Sequence, residues 1–148
     1  MSVNDMKHVS MIDLFRLDAE GQAQVLTNGL LALERDPKAD DQLEACMRAA
    51  HSLKGAARIV GLTAGVRVAH ALEDCFVAAQ GGLICLKQHD IDRLLRGVDL
   101  LVLIANTPEG DIERWSGQKK GDVEACLAAL EGVLMPSSEV ADAPDASL

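Results

Sequence analysis

Five residues of this chain have types and spacings that suit phosphoryl chemistry. His51, Lys54 and Gly55 fall within about one helical turn, and His70 and Glu73 fall within another. A neutral imidazole is a nucleophile near pH 7 and takes a phosphoryl group on one ring nitrogen. A carboxylate bonded to the other nitrogen fixes the tautomer. An ammonium beside the ring neutralises charge on the phosphoryl group. A glycine one turn beyond the histidine clears space for an approaching partner, although it costs about 1 kcal/mol of helix stability relative to alanine. A phosphohistidine formed there is labile, as a relay intermediate must be.

The elements around these residues have to bring them together. A helix is expected from a cap at Asp40 or Asp41 to about Val60, with Leu43, Met47, Ala50, Leu53, Ala57 and Val60 as its apolar stripe. His51 follows Ala50, so it lies about 100° off that stripe. It falls in a polar row with Glu44, Arg48, Gly55 and Arg58. Gly61 stops the helix. Thr63 caps the next one, which runs to about Gln80 with Ala69, Leu72, Phe76 and Ala79 inward, and Gly81-Gly82 ends it. In an antiparallel hairpin turning at Leu62, His51 and Glu73 are both eleven residues from the turn, and Lys54 and His70 are both eight. His51 is therefore expected to face Glu73, and Lys54 to face His70.

The rest of the chain reads as helix too. Ser10 is an expected cap for a short helix with Met11, Ile12, Leu14, Phe15 and Leu17 as its apolar set. A second stretch covers Asp18 to about Arg35, with Val25, Leu26, Leu30 and Leu33 inward, and Asp36-Pro37 ends it. Asp90 caps a helix to about Asn106, with Ile91, Leu94, Leu95, Val98, Leu101 and Val102 inward. Residues 107–118 contain Pro108, Gly110 and Gly117 and read as a loop. A further helix spans about 120–134, and the small, acidic PSSEVADAPDASL reads as a flexible linker or tail. Short connections between amphipathic helices make neighbours antiparallel. The expected fold is all-α, an up-and-down antiparallel four-helix bundle with one or two additional helices.

Composition narrows the function. The chain has 148 residues, 49% of them hydrophobic but only 2% aromatic, so its core is aliphatic. A net charge of −9 and the scarcity of aromatics argue against a nucleic-acid partner or an anionic membrane surface. The longest apolar run, Leu100 to Ala105, is too short to span a bilayer. Nothing at the N-terminus resembles a signal peptide, and the chain is expected in the cytoplasm. Cys46, Cys75, Cys85 and Cys126 have no metal-ligand spacing and read as reduced thiols, three of them inside helices. His8 and His89 read as ordinary surface histidines.

AHSLKGAARIVGL (Ala50 to Leu62) and VAHALEDCF (Val68 to Phe76) resemble the histidine-phosphotransfer (HPt, or P1) domain of CheA-type chemotaxis kinases. The H-S-x-K-G-x-A core carries the resemblance, and H-x-x-E-D points to its CheA-type branch. It covers about residues 10–106. Within that family, Leu14 to Pro37 and Gln42 to Leu62 look like the hybrid kinase branch of the Wsp surface-sensing system of pseudomonads. The resemblance implies that His51 takes the γ-phosphoryl group of ATP from a separate kinase catalytic domain. His51 then passes it to an aspartate of a response-regulator receiver domain. Glu73 would bond the imidazole, Lys54 and His70 would complete the network, and Gly55 would keep the approach open. Ser52, Arg48 and Arg58 are candidate partner contacts, the two arginines reading first as solvated charges. ATP and Mg²⁺ would belong to the kinase and receiver domains, with no cofactor or metal held here.

The expected organisation is an N-terminal extension at 1–9, the phosphotransfer domain at 10–134 and a linker at 135–148. The chain would be a monomeric, non-enzymatic piece of an ATP-dependent protein-histidine kinase. Two alternatives are a stand-alone HPt relay protein and a metal-binding bundle using His51, His70 and Glu73. A di-metal bundle uses several carboxylates with Glu-x-x-His pairs, whereas here the order is reversed and Lys54 repels a cation. A purely structural interaction bundle is a third.

Overall fold

A computed structural model describes residues 3–107 and 111–135, leaving out the side chains of residues 3–10, 12, 112, 113 and 116. Six helices follow in order: α1 (Val3–Arg35), α2 (Asp40–Ile59), α3 (Thr63–Gln80), α4 (Gln88–Ala105), α5 (Ile112–Gln118) and α6 (Lys120–Val133). Among the described residues there is no strand. The side chains of His8, Ser10 and Ile12, the loop residues Pro108 and Gly110, and the tail from residue 136 lie outside the description.

The two N-terminal helices expected on either side of Asp18 are one helix of 33 residues. Phe15, Ala19, Ala23, Leu26, Leu30 and Leu33 are all buried, at spacings of three and four. That stripe crosses Asp18 without a break, and no proline interrupts it. Ser10 lies within the helix, so no helix begins there. Four other expected inward residues face out: Met11 is 48% exposed, Leu14 64%, Leu17 66% and Val25 40%.

Helices α1 to α4 close a ring, in which α1 packs on α2 and α4, and α3 packs on α2 and α4. Gly61 and Gly82 carry the turns after α2 and α3 with φ of 76° and 78°, a left-handed conformation that a Cβ disfavours. Three helices start a little away from their expected caps. Ala39 is the N-cap of α2, with Asp40 and Asp41 in the first turn, where their charge complements the helix dipole. Leu62, not Thr63, precedes α3. Lys87, not Asp90, precedes α4. Asp90 is buried one turn in, and its carboxylate accepts the Lys87 backbone N–H at 3.0 Å, closing a helix end that would otherwise be unsatisfied. At the other end of α4, the Arg16 guanidinium donates to the carbonyls of Ala105 and Thr107.

The stretch expected to be a loop contains α5. Its glycine lies next to the helix end, and the half-buried Trp115 packs against the core. Helix α6 packs on α3 and α4 and buries Val123, Leu130 and Val133. A Cβ added at Gly97 on α4 would lie 3.1 Å from Leu72 and 3.5 Å from Leu130, so glycine allows this close approach. All four cysteines are free. Burial pushes the Cys46 thiol up to about 12, and burial followed by the charges of Asp74 and Asp90 does the same for Cys75. These thiols act as small hydrophobes. No described helix is long and apolar enough to cross a membrane.

Candidate functional site

The core stripes of α2 and α3 fix which residues meet at their shared edge. Ala50, Leu53 and Ala57 on α2 and Ala69, Leu72 and Phe76 on α3 are buried. His51 and Glu73 each lie one residue beyond a buried position, on the flank where the two helices meet. His51 Nδ1 is 2.8 Å from Glu73 Oε2, and Lys54 Nζ is 2.7 Å from Glu73 Oε1. The His51 side chain is 68% exposed, whereas those of Lys54 and Glu73 are 16% and 15% exposed. The imidazole therefore stands in solvent on a support that is largely buried.

Burial works against the charged form of the Glu73 carboxyl. The nearby Lys54 ammonium and His51 ring outweigh it and hold the carboxyl below its ordinary value. An ionised carboxylate only accepts hydrogen bonds, so Nδ1 must carry the ring proton that it donates to Oε2. In the neutral ring the lone pair then lies on Nε2. The Lys54–Oε1 contact is an ion pair that lacks good hydrogen-bond alignment.

His51 faces Glu73, as the hairpin count requires, but Lys54 does not pair with His70. Its long side chain reaches about one turn further, to the carboxylate, where opposite charge and partial burial favour it. His70 turns outward and sits 3.5 Å from Asp74 Oδ1, four residues on, with its side chain 59% exposed. The network therefore comprises His51, Lys54 and Glu73, with His70 on the exposed shoulder of α3. Among the described residues, no group of three His, Cys, Asp or Glu side chains is arranged to hold a metal ion.

Gly55 lies one turn beyond His51, and a Cβ there would meet nothing within 4 Å. Packing within the chain gives no reason for a glycine at this position. Arg48 pairs with Glu44 at 2.6 Å and is 74% exposed, and Arg58 is exposed on the same row. Ser52 is exposed and accepts a long contact, 3.5 Å, from the Gln22 amide of α1. Sequence reasoning missed Gln22 and Asp74. Counting levels across the first hairpin would have found Gln22, because Gln22 and Ser52 are each fifteen residues from Pro37. The i,i+4 rule would have found Asp74.

Fold and site together define a class: a helical bundle that presents one exposed imidazole, anchored through Nδ1 to a half-buried carboxylate. The chain belongs to the Hpt domain family, whose model matches residues 10–104. It is 27% identical over 101 residues to the chemotaxis protein CheA of Borreliella burgdorferi, a match covering 68% of this chain and 12% of that protein. It is 28% identical over 124 residues to the CheA of Halobacterium salinarum, covering 82% of this chain and 18% of that protein. The chain thus spans less than a fifth of the length of these relatives. Its fold is similar to that of the phosphorylated P1 domain of CheA3 in complex with CheY6 from R. sphaeroides. The TM-score is 0.69 at 22% identity, covering 84% of this chain and 95% of that one.

Proposed function

We propose that this chain is the phosphoacceptor domain of a CheA-type histidine kinase, with His51 as the carrier. One observation carries the reading: the 2.8 Å contact from His51 Nδ1 to Glu73, which leaves Nε2 free and outward on a mostly exposed side chain. Nε2 attacks the γ-phosphorus of ATP held by a separate catalytic domain. The N–P bond forms, the bond to the bridging oxygen breaks, and ADP leaves. The ring keeps its Nδ1 proton and becomes positive, and the Glu73 carboxylate stabilises that charge. A carboxylate oxygen of a receiver aspartate then attacks phosphorus, and the N–P electron pair returns to Nε2.

Lys54 positions Glu73, and Gly55 leaves room for either partner. His70 lies on the rim with Asp74, where it contacts a partner rather than the His51 ring. Ser52, Arg48 and Arg58 complete that rim. ATP and Mg²⁺ are used by the separate domains, the module holds neither, and it works in the cytoplasm as part of a longer kinase. Residues 10–134 form the phosphotransfer unit, and the tail leads to further domains. Within the family, the runs Leu14 to Pro37 and Gln42 to Leu62 favour the hybrid kinase of the Wsp surface-sensing system of pseudomonads.

The test is incubation of the chain with the kinase catalytic domains, ATP and Mg²⁺. Acid-labile phosphate is expected on the wild type and absent from His51→Gln. Labelling that survives the substitution overturns the assignment.

A further inference from the structure

Helix α3 is held from two flanks at the level of Glu73. On one flank stands α2, which brings His51 and Lys54 to the Glu73 carboxylate. On the other stands α6. At about 100° per residue, Cys75 lies about 160° around α3 from Glu73, and Arg67 lies about 120° from it. Both meet α6. Arg67 pairs with Glu124, and the buried Cys75 thiol donates to the Leu130 carbonyl at 3.5 Å.

Leu130 is where α6 grips. Its side chain and that of Leu72 are both fully buried, and they converge over Gly97 of α4, where the missing Cβ leaves a notch. The main chain adds a second hold. The last turn of α6 tightens, so that the Leu134 N–H goes to the Glu131 carbonyl, three residues back. The Leu130 carbonyl then needs another donor, and the Cys75 thiol supplies it. Leu130 thus reaches α3 with its side chain at Leu72 and with its carbonyl at Cys75. Those two residues bracket Glu73 and Asp74.

The site tolerates little rotation of α3. With side chains reaching about 5–6 Å from a helix axis, a roll of about 10° shifts a carboxylate by about 1 Å. A misplacement of about 1 Å at a reacting centre costs about 100-fold in rate. The mostly exposed His51 ring follows the carboxylate that holds its Nδ1 proton. A helix gripped on the α2 flank alone is free to roll, and a grip on the opposite flank stops it.

We propose that Leu130 of α6 is a positioning residue for His51. It sets the roll of α3, and so holds the Glu73 carboxylate at Nδ1. Its effect on rate rests on the phosphotransfer reading above. Val123 is buried on the same helix but lies beside Thr63 and Arg67, toward the start of α3, and takes no part in this hold.

The experiment compares Leu130→Ala, Leu130→Met, Gly97→Ala and Val123→Ala in the full chain. Two quantities are read: loading from the kinase catalytic domains with radiolabelled ATP, and the ring-nitrogen NMR shifts of His51, which report its tautomer. Leu130→Ala is expected to slow loading about tenfold and to raise the share of ring carrying its proton on Nε2. Leu130→Met conserves volume and is expected to restore both, to within about twofold in rate. Gly97→Ala fills the notch with a better helix former, so it stays folded, and by pressing on Leu72 it is expected to slow loading about threefold. Val123→Ala is expected to leave the tautomer unchanged and loading within about twofold. Unchanged ring shifts and loading in both Leu130→Ala and Gly97→Ala overturn the proposal, as does an equal change in Val123→Ala. If Leu130→Ala does not fold, unchanged ring shifts in Gly97→Ala suffice to overturn it. Failure of the wild type to load on His51 overturns the phosphotransfer reading instead, and the ring shifts still decide whether Leu130 holds Glu73 in place.

Discussion

The lower and upper halves of the α1–α2 seam solve different problems with the same residues. In the lower half, Gly29 faces the buried Cys46 thiol so closely that a Cβ would collide with it. Leu30, Leu33 and Leu43 close around this point at 0–2% exposure. In the upper half, Gly21 and Gly55 face open space, and Leu14 and Ile59 stand in solvent. The fold needs its glycine below, where two helices approach closely. Above, nothing in the chain uses the glycines, and the surface they leave adjoins His51. A glycine in a helix is therefore informative only once its neighbours are known.

Substitutions that fill each glycine sharpen this contrast. Gly29→Ala is expected to destabilise the chain by about 1–3 kcal/mol, because the buried thiol has no free space to move into. Chemical denaturation measures it, and an unchanged midpoint would remove the close-packing half of the comparison.

Glu73→Gln tests the polar edge of the neighbouring α2–α3 seam, where it strands Lys54 and weakens the hold on His51. A loss of about 1–2 kcal/mol is expected at neutral pH. The folded-state pKa of Glu73 lies below its ordinary value of 4.5. Its contribution is therefore full above that value and is lost as the pH falls through the lowered folded pKa. Wild type and variant should converge in acid, and a difference independent of pH would argue that packing, not charge, is at work.

Gly55→Ala is expected to act the opposite way to Gly29→Ala. It stabilises by up to about 1 kcal/mol while slowing phosphoryl transfer, because the methyl group intrudes where a partner approaches. A variant that is more stable and equally fast would show that the space above His51 is unused. The smallest effect is expected at the exposed Arg67–Glu124 pair, 2.8 Å apart between α3 and α6. Arg67→Met should leave the denaturation midpoint unchanged, since solvent screens such pairs. A clear loss would mean that α6 is held to the bundle by charge rather than by Val123 and Leu130.

Local rules made much of this chain legible. Apolar spacing located α2, α3, α4 and the C-terminal half of α1, and Gly61, Gly82 and Pro37 marked the turns because their backbones admit few alternatives. Level counting across one hairpin paired His51 with Glu73. The errors arose where a choice depended on neighbours. The α1 stripe runs through Asp18, where a boundary was expected. Residues 112–118 are helical despite Gly117, beside an α6 that local pattern cannot place. Lys54 chose Glu73 over His70 because a long, flexible cation seeks the half-buried charge rather than the nearest level.

The sequence by itself determined helices α2, α3, α4 and α6, their order, and the presence of an exposed histidine with a glycine one turn beyond. Those properties depend on spacing along one chain, at 3.6 residues per turn. Only the tertiary structure decided which carboxylate holds Nδ1, that His70 stands apart with Asp74, and that Gly55 is open where Gly29 is closed. Each of those depends on where a second helix comes to rest. That is set by packing across the whole core, so no local pattern encodes it.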